Sequence, residues 1–84
     1  MYRGSTVGQL VRMIETEYTS RLSTISREKY DEQTILKFKE FVKTCEKVLS
    51  NPRISPSQAD KVMSYKLLIE REIEWYERSK KKST

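Results

Sequence analysis

The run from Tyr30 to Leu49, YDEQTILKFKEFVKTCEKVL, leaves the chain fewer folding options than any other stretch. At roughly 100° per residue, Tyr30, Ile35, Phe38, Phe41, Val42, Cys45, Val48 and Leu49 gather into one arc of about 140°. Lys39, Glu40, Lys43, Glu46 and Lys47 take the other side. A surface helix resting on one neighbour needs an apolar stripe of about 100°, so an arc this wide predicts a helix lodged between two others. Ile35, Phe38, Val42, Cys45 and Leu49 repeat at spacings of 3 and 4 for two heptads. A sustained coiled coil needs three or four heptads, so the seam reads as the inside of a bundle.

The flanking segments supply the two neighbours. Thr6 with Gln9 three residues on fits a capping box, in which hydroxyl and amide reciprocally satisfy orphan N–H groups at a helix start. From there Val7, Leu10, Val11, Ile14, Tyr18, Leu22 and Ile25 form a narrow stripe. Thr19, Ser20, Ser23 and Thr24 lower helix propensity, which places the stop between Ser20 and Thr24. Ser26 is the next expected N-cap, with Ile25 and Tyr30 spaced as a hydrophobic staple. Glu28, Asp31 and Glu32 suit the positive end of the helix dipole. Helix 2 is therefore expected to begin at Arg27 and to stop before Pro52, which pushes its predecessor out of the helical region. Ser55, Pro56 and Gln58 combine a capping box with the preferred site for proline, opening helix 3. Its main stripe is Ala59, Val62, Tyr65, Ile69, Ile73 and Tyr76.

The fold expected is all-α, a compact bundle of three helices with short connections, at about residues 7–23, 27–49 and 56–79 of one domain spanning 1–79. Residues 80–84 are expected to fray as a basic tail. An 84-residue chain sits near the low end of independent folding, so the bundle is also a candidate for homodimerisation. Two Gly and two Pro supply little turn chemistry for a many-stranded alternative.

The inventory for catalysis is thin. Histidine, the commonest general base and transition-metal ligand, is absent. A lone cysteine, Cys45, falls on the apolar arc and reads as a core residue, short of the ligands a zinc site needs. Gly4 and Gly8 form no phosphate-cradling loop. Glu70, Glu74 and Glu77 interleave with Lys66 and Arg78 as on a solvated helix face. No catalytic residue, cofactor or metal is expected, and the chain reads as a non-enzyme. With no apolar run of signal or membrane-span length, it reads as soluble and cytoplasmic. Abundant Lys, Ile, Ser and Tyr beside a single alanine suit an AT-rich genome, which says nothing about chemistry.

Two partner classes remain. Met63 and Leu67 lie on one flank of the helix 3 stripe, and Leu68 and Trp75, seven residues apart, on the other. Either the bundle buries these flanks or they form an interface for another protein, with the Trp as anchor. A small regulatory or inhibitory binder of another protein is the favoured reading. The alternative is a nucleic-acid-binding protein using the row Lys39, Lys43 and Lys47 with Arg53, Lys61, Lys80, Lys81 and Lys82. The net charge of +5 supports this only in part, because residues 1–25 and 26–50 each net +1 and the surplus lies in 51–84. A membrane-surface role would need an apolar face free to insert, and these faces are expected to be spent on the core.

Overall fold

The computed structural model describes residues 6–82, apart from the side chains of residues 81 and 82. Three α-helices, α1 (Val7–Ser20), α2 (Glu32–Leu49) and α3 (Pro56–Lys82), form an all-α bundle, and no strand occurs among the described residues. The Glu15–Lys61 ion pair and the Tyr18–Tyr65 ring contact rise together along the chain, so α1 runs parallel to α3. Lys39 with Glu77 and Glu32 with Lys80 run oppositely, which sets α2 antiparallel to α3. Of the three pairings, α2 against α3 is the most extensive and α1 against α2 the least.

Local chemistry fixes two of the three helix starts where they are expected. The Thr6 hydroxyl accepts from Gln9 N at 3.1 Å while Thr6 N donates to Gln9 Oε1 at 3.0 Å. Ser55 and Gln58 repeat the arrangement ahead of α3, at 3.0 and 3.2 Å. In α1, Gly8 is one residue into the helix, and an added Cβ would meet only ordinary contacts, at 3.7 Å from Thr6 Oγ1 and 3.8 Å from Gln58 Nε2. Gly8→Ala should therefore stabilise the domain by about 0.5–1 kcal/mol through reduced backbone entropy. A thermal melt checks this, and a lowered midpoint would mean that the α1–α3 seam has no room for a methyl.

Helix 2 departs from expectation. Arg27–Lys29 form a single 3-10 turn behind Ser26, whose hydroxyl makes no capping bond. Asp31 is the true N-cap, its carboxylate accepting from Thr34 N at 2.8 Å. The cause lies outside the segment. Arg27 and Tyr30 turn toward α3, where both hydrogen-bond Glu72, and a helix begun at Arg27 would have to give up that placement.

Two other boundaries also shift. Helix α1 ends at Ser20 and Leu22–Thr24 follow as a second 3-10 turn. Helix α3 runs on to Lys82 where fraying was expected from Lys80. Lys80 reaches Glu32 at the start of α2 and lies 5.9 Å above the Tyr76 ring, contacts that favour the last turns staying wound.

The core is built from the three expected stripes: Val11, Ile14 and Leu22; Ile35, Phe38, Phe41, Cys45 and Val48; Val62 and Ile69. Phe38, Val62 and Cys45 are fully inaccessible. No buried side-chain N or O lacks a partner among the described residues.

Candidate interaction surfaces

The sequence places Met63, Leu67, Leu68 and Trp75 outside the α3 stripe, and the fold leaves all four exposed, at 41%, 50%, 41% and 36%. They run along the outward side of α3, away from Val62 and Ile69. The aromatic member is partly engaged already. The Arg27 guanidinium lies 4.7 Å from the Trp75 ring, and the edge-on Tyr30 ring is 5.9 Å away. Arg27 Nε and Nη2 both donate to the Glu72 carboxylate at 2.9 Å, and Tyr30 Oη donates to it at 3.0 Å. These contacts fasten the segment between α1 and α2 onto α3. They hold the Glu72 carboxyl below its usual range, chiefly through Arg27, while burial and Glu72 together push the Tyr30 phenol up to about 12.

A second surface was not anticipated from the sequence. A groove of about 800 Å³ lies between α1 and α2. Its floor is Ile14, Leu22, Phe41 and Val48, and Leu10 and Ile25 join its sides. Met13 and Leu36 stand at its edges, 59% and 56% exposed. No α3 residue lines it, so it opens on the side of the α1–α2 pair turned away from α3. Leu36 lies among Gln33, Lys37, Glu40 and Lys43 in the sequence, where one apolar residue on a charged face is ordinary. Only the docking of α1 beside α2 makes it part of the wall of a depression.

The basic residues divide in a way the sequence did not separate. Lys39, Lys61 and Lys80 are occupied by Glu77, Glu15 and Glu32. Lys43, Lys47 and Arg53 make no salt bridge, and the Lys81 and Lys82 side chains lie outside the described residues. The row Lys39, Lys43, Lys47 is thus split, with its first member turned to α3.

Compared with family models, curated proteins and solved structures, the chain matches none. Its geometry therefore has to carry the functional reading unaided. Among the described residues no three potential ligands gather closely enough to hold a metal ion, and no helix is long and apolar enough to cross a membrane. Cys45 is buried, with its thiol pushed up to about 11 by burial, which leaves it a protonated core side chain at neutral pH.

Proposed function

We propose that this chain is a non-enzymatic protein-interaction module that regulates or inhibits the protein it binds. The observation that carries the reading is the groove between α1 and α2, where Met13 and Leu36 stand exposed over a floor formed by core side chains. A concave, mostly apolar depression is the usual setting of a binding site. The outward stripe Met63, Leu67, Leu68 and Trp75 is a second candidate face, with Trp75 pre-oriented by Arg27. A homodimer would use one of the same two faces. A lone, buried thiol suits a reducing compartment, and we place the protein in the cytoplasm.

Two double variants separate the faces. Met13→Asp with Leu36→Asp should abolish retention of the partner at high salt, while shifting stability within about 0.5 kcal/mol as surface changes do. Leu67→Asp with Leu68→Asp tests the α3 stripe in the same way. A pull-down from source-cell extract, with circular dichroism as the folding control, reads both. If neither pair alters what is captured, the protein-binding reading is wrong.

The nucleic-acid alternative is favoured only by Lys43, Lys47 and Arg53, which make no salt bridge among the described residues. Phosphate-driven binding should weaken steeply between two salt concentrations. Absence of binding at low salt would remove it.

A further inference from the structure

The charges around the groove are not balanced as they are elsewhere on the molecule. Six ion pairs, Arg27–Glu72, Lys39–Glu77, Lys61–Glu15, Lys66–Glu70, Arg78–Glu74 and Lys80–Glu32, neutralise the flanks of α3. On the groove side, Lys37 and Lys47 line the α2 wall without a salt bridge. Lys43 lies seven residues after Leu36 and thus on the same side of α2. Among the lining residues, Lys37 and Lys47 face a single carboxylate without a salt bridge, Glu40, because Glu17 is taken by Arg21, and Lys43 adds a third positive charge beside Leu36. This apolar hollow therefore has a positive border.

We propose, building on the docking role given above, that the groove receives an acidic amphipathic α-helix of another protein. Its apolar stripe packs between Met13 and Leu36 over a floor of Ile14, Phe41 and Val48, and its carboxylates meet Lys37, Lys47 and the neighbouring Lys43. The walls are two antiparallel helices, and a helix laid between them completes a four-helix arrangement at ordinary packing distance. The α2 wall from Gln33 to Val48 is about 22 Å long at 1.5 Å per residue, enough for about four turns of a guest helix. A guest strand has no sheet edge to join among the described residues.

Charge also argues against the other occupants. Two copies meeting groove to groove would oppose Lys37, Lys43 and Lys47 to their own images. A lipid surface requires an apolar face that protrudes, and most of this one is recessed. Duplex nucleic acid would use the lysines but not the floor.

Three fluorescent synthetic peptides of about 18 residues test the proposal by anisotropy. One has leucines at i, i+3, i+4 and i+7 flanked by glutamates; the second replaces those glutamates by lysines; the third scrambles the leucines. The acidic peptide should bind about tenfold or more tighter than the basic one at low salt, the preference shrinking in high salt. Lys37→Glu with Lys47→Glu should reverse the preference. Leu36→Asp should remove binding without lowering the melting temperature.

Equal binding of the acidic and basic peptides would overturn the charge assignment while leaving the groove as a docking face. Equal binding of the scrambled peptide would overturn the helical occupant. No binding by either ordered peptide, or no effect of Leu36→Asp, would remove the docking role itself. Self-association seen by ultracentrifugation and lost in Leu36→Asp would make a second copy the occupant. Duplex DNA binding that depends on Lys37 and Lys47 but not on Leu36 would hand the surface to nucleic acid.

Discussion

Replacing Phe38 by alanine is expected to destabilise the domain by about 3–5 kcal/mol, the cost of the lost transfer energy plus a cavity that the helices cannot close. Phe38 is fully inaccessible, sits on the wide arc of α2 and takes the Tyr30 ring edge-on at 5.2 Å. A domain of 84 residues has a total stability of about 4–13 kcal/mol. The substitution should therefore lower the melting temperature by at least about 12 °C and can bring the chain near unfolding at 25 °C. Leu36→Ala, on the same helix but 56% exposed, is the control and should move it little. Equal melting temperatures for the two variants would mean that α2 is not the central element of the bundle.

Alkaline pH should produce the second large effect. Burial raises the Cys45 thiol from 9.0 to about 11, and burial with Glu72 raises the Tyr30 phenol from 10.0 to about 12. Both groups keep their protons longer in the folded chain than in the unfolded one. The stability they confer is thus complete below their unfolded values and is lost as pH climbs through 9.0 to about 11 for the thiol and 10.0 to about 12 for the phenol. At about 1.36 kcal/mol per unit, the loss is on the order of 3 kcal/mol, most of it from Cys45, because solvent at the edge of Tyr30 screens its share. Urea midpoints followed across this range check the loss. The double variant Tyr30→Phe with Cys45→Ala should show a shallower decline than the parent. Parallel declines would refute the assignment to these two groups.

What the sequence disclosed follows from how far each interaction reaches. The caps Thr6–Gln9 and Ser55–Gln58 lie within three residues, so residue type and spacing suffice to find them. The core stripes were equally legible, since periodicity alone puts Ile35, Phe38, Cys45, Val62 and Ile69 inward. The choice of Asp31 over Ser26 as N-cap was not, because it is tied to Glu72 more than forty residues away. The last turns of α3 follow the same rule, since Lys80 meets Glu32 only once the helices are docked. Of the residues proposed for an interface, Met63, Leu67 and Leu68 stand exposed outside the α3 stripe, as periodicity predicts, whereas the Trp75 ring is shared with Arg27, a contact no spacing rule contains. Met13 and Leu36 carry no such signal, because a depression between two helices exists only once they are docked.

Among the described residues every ion pair between separate elements ends on α3, and none bridges α1 to α2. Mechanically, the long helix is a spine to which the other two are each laced, while the seam between those two is left unlaced. Spreading that seam breaks no electrostatic tie, so a bulkier guest has only side-chain packing to overcome. The opening should widen or narrow more readily than any other joint in the molecule.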